Sequence, residues 1–397
     1  MRTFYDCMDI LYFSDWLSNP VLNILLGLFA SVILVQLYYI LLIFTRLLFK
    51  RVPDALKNFP PVTVIVCARN ELENLRELLP MLDDQDYPSY EVIVMNDRSW
   101  DGTEEFTETE AKAWAKVRFI HIEQEYDHVT PKKYAITTAI RSAKHDIILL
   151  TDADCRPTTD QWIKGMATHL TDDKQIVLGF SPYKKRAGFL NRLIRFETFY
   201  VAAQYLSFAL ASNPYMGVGR NLMYRKSLFL KNKGFYTHLR ITGGDDDLLM
   251  NEIANNQNTA VCTDPDTFMV SIPKATWHDW YWQKKRHLSV SKHYKTANKM
   301  RLAFLSGTHV LTWLLFLGLA IWCVVVFPNQ PGLFIVAGSL FTLRLLSQWI
   351  VLGIAAKKLY KSVGWFAIPF MDFILFIYYV IMSFVLWANR RKKVRWR

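Results

Sequence analysis

The sequence is poor in cysteine, and the few it has are scattered. Five (Cys7, Cys67, Cys155, Cys262, Cys323) are spread over 397 residues, an odd count with no Cys-x-x-Cys pair. That excludes a disulfide framework or a cysteine zinc site and suits a reducing compartment. A charge surplus on the body of the chain is also missing. Formal net charge is +12, but residues 45–57 supply three of it, Lys357, Lys358 and Lys361 another three, and 390–397 six. A nucleic-acid binder would spread basic side chains over a folded face. Here they sit beside apolar runs, where anionic lipid headgroups attract them, so a membrane is expected as partner and nucleic acid is not. Nor is a cleavable leader expected. The first apolar run, 21–43, follows a mixed segment carrying Asp6, Asp9 and Asp15 and is followed by Arg46, so it reads as a retained anchor.

What is present is an apolar content of 52% and an aromatic content of 15% alongside 21% charged residues, the average expected of a lipid-embedded part joined to a soluble one. Four runs, 21–43, 304–327, 333–356 and 366–388, reach the roughly 20 residues that a helix needs to cross a bilayer. The expected organisation is an amino-terminal segment and anchor over 1–57, a soluble domain over 58–300, and a membrane region with a basic tail over 301–397.

Within the soluble part, short apolar runs at 62–66, 91–95, 117–122 and 146–150 alternate with helical patterns at 72–82 and 132–143. Strands apolar on both faces, alternating with helices, predict an α/β domain with a mostly parallel sheet. Ligands bind such sheets beyond the carboxyl ends of the strands, and Asp97, Asp152 and Asp154 fall there. An Asp after a strand also caps helices and closes turns, so Asp97 alone has two readings. Asp152-Ala-Asp154 is more pointed. Two carboxylates two residues apart crowd negative charge unless a cation compensates, and their hard oxygens suit Mg²⁺ or Mn²⁺.

The order Ala68-Arg69-Asn70-Glu71, Asn96-Asp97, Asp152-Ala-Asp154, Gly244-Asp245-Asp246-Asp247 and Gln283-Lys-Lys-Arg286 resembles family 2 glycosyltransferases of the GT-A fold. It is similar to the D, D, D, QxxRW branch that includes cellulose, chitin and hyaluronan synthases and ceramide glucosyltransferase, over roughly residues 58–300. The resemblance implies an inverting hexosyltransferase using a UDP- or GDP-sugar. It implies a nucleotide pocket of Ala68, Arg69, Glu71 and Asp97, with Lys133 near the donor and Lys132 on the surface. Asp152 and Asp154 then resemble the metal-binding pair, Asp152 also facing the donor. Asp245–Asp247 resembles the segment supplying the base that deprotonates the acceptor, with Asp246 favoured; acids at a helix start fit the same three residues, Asp247 above all. Gln283 and Arg286 resemble the diphosphate and acceptor contacts. His287 stands where the family has tryptophan, so the aromatic acceptor contact departs from the pattern.

Trp277, Trp280 and Trp282 have two readings, aromatic acceptor surface or interfacial anchors. Residues 189–215 are expected to form an amphipathic helix on the membrane surface, with a buried core helix as the alternative. Gly217-Val-Gly219-Arg-Asn221 resembles an acceptor loop. Transfer to a lipid or lipid-linked acceptor is the leading function. A processive polysaccharide synthase comes second, and a non-enzymatic membrane protein or inactive relative third.

The expected location is a bacterial inner membrane with 58–300 facing the cytosol, where nucleotide-sugars are found. Arg46, Lys50 and Arg51 agree with that orientation. Three full carboxyl-terminal crossings would then place 390–397 outside against the same rule. A cytosolic tail is therefore expected, with 333–356 (carrying Arg344) or 366–388 (carrying Pro369 and Asp372) re-entrant or interfacial. Arg344 and Asp372 would offset each other's cost as an ion pair.

Overall fold

The computed structural model describes residues 19–51, 53, 58–110, 114–171, 173–326, 331–359 and 363–388. Asp6, Asp9, Asp15, Cys7, Lys57, Lys361 and the basic tail at 390–397, each used in the sequence reading, lie outside them. The described residues fall into two compact units, one within 1–48, 296–354 and 364–390, the other within 49–295, 355–363 and 391–397.

The second unit is built on a seven-stranded sheet in the order β3-β2-β1-β4-β7-β6-β8, with β5 and β9 as a separate pair. The strands are β1 Val62–Ala68, β2 Tyr90–Asp97, β3 Val117–Ile122, β4 Ile147–Asp152, β5 Cys155–Pro157, β6 Ile176–Leu178, β7 Leu222–Arg225, β8 Thr259–Val261 and β9 Met269–Ser271. Parallel pairing joins β1 to both β2 and β4, and β2 to β3. The antiparallel strand is β7, between β4 and β6, while β6 and β8 are parallel. Residues of β1, β2 and β4 are buried nearly throughout, which is why they read as continuous apolar runs. The Leu72–Asp83 helix buries Leu75, Leu78, Leu79 and Leu82, one helical face, in a core shared with Val64, Val94, Leu149 and Trp162. From β1 the chain winds outward through β2 to β3, then returns to place β4 on β1's other side. The crevice at that reversal opens at the carboxyl ends of β1, β2 and β4.

The Phe189–Leu210 helix corrects one expectation. It buries Leu193, Phe196, Phe199, Tyr200, Tyr205 and Phe208 together with Arg195 and Glu197, so it is a core helix and not a surface amphipathic one. The charges that suggested a wet face are accommodated inside, Glu197 by an ion pair with Lys284.

In the other unit, Pro20–Tyr38 starts with the Asn19 side chain accepting from the Val21 and Leu22 amides, and runs through a π-helical turn, Tyr39–Phe44, into Thr45–Leu48. Helices Thr296–Val326, Pro331–Leu359 and Ile368–Ala388 follow. Four stretches, Pro20–Leu48, Thr296–Val325, Gly332–Leu359 and Trp365–Val385, are long and apolar enough to cross a membrane. Pro331–Leu359 and Ile368–Ala388 are each one continuous helix.

The charges within them are paired as expected. Arg344 and Asp372 are both 0% exposed, and Arg344 Nη1 lies 2.6 Å from Asp372 Oδ2. Arg344 Nη2 donates to Gln36 Oε1 (3.0 Å) and to His309 Nδ1 (2.8 Å), and Gln348 and Trp313 donate to Asp372. Arginine only donates, so His309 Nδ1 accepts and its proton sits on Nε2. All four helices contribute to this network.

Removing one partner would strand a buried charge. Asp372→Leu is expected to destabilise the protein by about 3–5 kcal/mol, and Arg344→Met combined with it to recover most of the loss. Unfolding in detergent, arranged as a double-mutant cycle, checks this; additive losses would show that the pair is not coupled.

Candidate active site

The site assembles from loops at the carboxyl ends of the strands. After β1, Asn70 adopts φ 56°, and after β2, Arg98 adopts φ 53°. Left-handed backbone is sterically costly for residues other than glycine and concentrates at functional loops. The two loops are tied together. Asn70 N donates to Ser99 Oγ (2.8 Å), and Trp100 N donates to Asn70 Oδ1 (2.9 Å).

This geometry presents Asp97 with two arginines, Arg98 Nε at 2.9 Å and Arg69 Nη1 at 3.9 Å. Arg98 also reaches Glu125 at 2.7 Å. Asp97, Arg98, Tyr126, Val129 and Tyr134 line a cleft there. Ala68 ends β1, buried and in register with Asn96. Glu71 accepts from Asn74 (2.5 Å), and its carboxyl is raised by burial and by the charges of Asp154 and Asp152.

At the end of β4, Asp152 Oδ1 receives Lys132 Nζ at 2.9 Å, and the same ammonium lies 3.1 Å from Asp245 Oδ2. Burial disfavours that ammonium, yet Asp152, Asp245 and Asp246 hold its pKa well above the usual lysine range. Asp154 receives only the weak thiol donor of Cys155, at 3.5 Å. Burial, then the charge of Asp152, raises its carboxyl. Two neighbouring hard-oxygen carboxylates, one of them without a strong donor among the described residues, fit a Mg²⁺ or Mn²⁺ ion.

The third acidic group is set by its glycines. Gly243 and Gly244 have φ of 83° and 75°, and a Cβ on Gly244 would stand 2.5 Å from Leu248 Cδ1. The turn brings Asp245 to Lys132, while Asp246 caps the Asp247–Ile253 helix. Asp246 accepts from Asp247 N at 2.8 Å and from Gly219 N at 2.7 Å. Asp247 accepts from the Tyr294 hydroxyl at 2.7 Å.

The three carboxyls are driven apart. Burial would raise Asp245, but Lys132 holds it below the usual range. Burial and Asp245 raise Asp246. Burial and Asp246 push Asp247 up to about 8. Folded Asp247 thus keeps its proton to about pH 8, whereas the unfolded chain releases it near pH 4. The stabilising contribution is present in acid and lost as pH rises through that window. Asp247→Asn is expected to flatten the fall in thermal stability between about pH 5 and 8; an unchanged slope would assign the titration elsewhere.

One residue assignment is corrected. Lys133 is buried, its ammonium donating to the carbonyls of His238 (2.6 Å) and Ile241 (2.8 Å), and burial lowers its pKa to about 8. Lys132, which the sequence placed on the surface, is the lysine among the carboxylates. Lys132→Met is expected to impair transfer with the fold intact, and Lys133→Met to lower the melting temperature; the reverse pattern would restore the original assignment.

The Trp277–Val290 helix carries the Gln283-Lys-Lys-Arg286-His287 segment. Gln283 Nε2 donates to the Tyr183 hydroxyl at 3.2 Å. Arg286 Nη2 lies 3.5 Å from His287 Nε2, and His287 is open to solvent. Trp280 is buried, while Trp277 and Trp282 are exposed. The structure thus gathers Asp152, Asp154, Asp245 and Glu71, with Asp97 and Arg69 at the adjoining loop. Sequence reasoning missed Arg98, Tyr294 and the role of Lys132.

Residues 63–232 match the family described as Glycosyl transferase family 2. Glycosyltransferase AglE of Haloferax volcanii is 33% identical over 115 residues, which is 28% of this chain and 36% of that protein. The match therefore spans about a third of that relative's length. The mannosyltransferase PcManGT from Pyrobaculum calidifontis, solved in complex with GDP-Man and Mn²⁺, shares the fold at a TM-score of 0.55 and 21% identity, over 86% of this chain and 99% of that one. The expected GT-A architecture, an α/β domain with a mostly parallel sheet accompanied by candidate membrane-spanning helices, is present.

Proposed function

We propose that the protein is an inverting glycosyltransferase of the D, D, D, QxxRW kind, moving a sugar from a nucleoside-diphospho-sugar to a lipid or lipid-linked acceptor. The observation that carries this reading is the convergence of Asp97, Asp152, Asp154 and Asp245 at the carboxyl ends of β1, β2 and β4, with Lys132 bridging two of them. The mannosyltransferase of the same fold was solved with a nucleotide-sugar and a divalent ion, which supports the same ligands here. Four helices long and apolar enough for a membrane support a membrane acceptor, with the catalytic unit facing the cytosol.

Asp97, Arg69 and Glu71 hold the nucleoside, the tyrosines of the Asp97 cleft offering it a face. Asp152 and Asp154 would hold Mg²⁺ or Mn²⁺, and the chemistry such an ion would supply there is neutralisation of the charge on a departing diphosphate. Lys132 stands beside Asp152 to meet phosphate charge. Asp245 is assigned as the base, in place of Asp246, because both Asp246 oxygens already accept backbone N–H groups. Lys132 weakens Asp245 as a base at rest; when a diphosphate draws that ammonium away, Asp245 regains basicity.

Membranes from expressing cells, supplied with radiolabelled UDP- and GDP-sugars and Mn²⁺, are expected to transfer label to a lipid-extractable product. Label that stays wholly in the nucleotide-sugar, with neither transfer nor hydrolysis, would reject the reading.

A further inference from the structure

Arg220 presents a guanidinium with open donors. Among the described residues it makes no ion pair or hydrogen bond, and its Nη1 atom is buried without a partner. A buried charged donor left unmade is costly, and each such group in a folded protein calls for an explanation. The side chain is nonetheless firmly placed. Its guanidinium carbon lies 4.6 Å from the centre of the Tyr183 ring, and the Tyr183 hydroxyl accepts from Gln283.

The backbone around it is pinned on both sides. Gly219 N donates to Asp246. Asn221 Nδ2 donates to the carbonyls of Phe180 and Thr267, both at 2.8 Å, and Asn221 Oδ1 accepts from Trp162 Nε1 at 3.0 Å. A residue so anchored, with its donors left open, is built to receive something from outside the chain.

Its electrostatic surroundings say what. Arg220 acts on Asp154 and Asp152, yet stands more than an ion-pair distance from both. Lys284, Arg286, Arg220 and Lys132 all act on His287. An anion with several charged oxygens answers such a group of cations. A guanidinium fork matches phosphoryl oxygens better than any other common anion apart from carboxylate.

We propose that Arg220 binds the phosphoryl oxygens of a nucleoside diphosphate held at Asp152 and Asp154, with Tyr183 and Gln283 positioning it. This rests on the glycosyltransferase reading and adds to it a residue from the Gly217–Asn221 loop.

Equilibrium binding of UDP and of GDP, each with Mn²⁺, to the full-length protein in detergent tests this. Arg220→Gln is expected to weaken the better-bound nucleotide roughly 10- to 100-fold, the worth of charge-assisted hydrogen bonds. Arg220→Lys should recover part, because it keeps the charge without the fork. Thermal unfolding without nucleotide should stay nearly level, since among the described residues Arg220 has no ion pair or hydrogen bond to lose and only its contact with the Tyr183 ring changes, and that separates lost binding from misfolding. Nucleotide binding at wild-type strength in both variants would overturn the proposal. So would intact nucleotide binding with lost attachment to vesicles containing a polyprenyl phosphate, which would assign Arg220 to an acceptor's phosphate. Should the wild type bind neither nucleotide, the glycosyltransferase reading falls and takes this proposal with it, whereas wild-type binding indifferent to Arg220 removes this proposal alone.

Discussion

Asp154→Ala is expected to lower transfer roughly a thousandfold or more, the several kcal/mol that preorganised charge stabilisation supplies to a transition state. Chelation of the wild type should abolish transfer, and Mn²⁺ or Mg²⁺ should restore it. The reason lies in the unequal settings of the two carboxylates. Asp152 already has Lys132 at 2.9 Å, so deleting it leaves a cation among the remaining acids. Asp154 has no strong donor and a raised carboxyl, so its charge is compensated only when a cation arrives. Asp154→Ala should therefore also raise thermal stability in metal-free buffer, a change visible without any substrate. Full transfer in excess chelator would end the metal assignment, and a variant less stable than wild type without metal would contradict the electrostatic argument.

Asp245→Asn is expected to cost roughly a hundred- to ten-thousandfold in transfer, the usual scale of general-base catalysis, with nucleotide binding retained. Asp246→Asn should behave differently. Asn keeps one acceptor oxygen of the two, so the backbone N–H of Gly219 or of Asp247 loses its partner and stability drops more than the chemical step. Single-turnover rates with saturating donor, beside melting curves, separate the two. If Asp246→Asn is the variant that loses chemistry while keeping its stability, the base is Asp246, and the coupling through Lys132 is not part of the mechanism.

The parts of the fold that the sequence announced are those with a simple physical signature. Strands β1, β2 and β4 are covered on both faces and so appear as unbroken apolar runs, and the turns that end them hold the acids. Strands β5, β6, β8 and β9 have three residues each, too few for a period to show. The reversed direction of β7 leaves no mark in hydropathy at all. Adjacent lysines defeated the sequence for a geometric reason. Pro131 opens the Pro131–Ser142 helix, and neighbouring helical residues point about 100° apart, so one lysine faces the carboxylates and the other the interior. The Phe189–Leu210 helix misled because Arg195 and Glu197 are buried, and a pairing across 87 residues, Glu197 with Lys284, cannot be read locally. Arg220 was passed over because its loop offers only two glycines as a signal.

The Arg344–Asp372 pair bears on how the chain is made. A helix with Arg344 near its middle, or one with Asp372 in its first turns, would enter lipid alone carrying a charge that costs about 2.5–3.5 kcal/mol to insert. Joined at 2.6 Å, the two charges become a dipole, and Gln36 and His309 on the helices made earlier in the chain already offer it hydrogen-bond partners. The pairing therefore makes the last two described helices interdependent: a chain truncated between them would keep Arg344 and its contacts to Gln36 and His309 but lose the carboxylate that balances its charge.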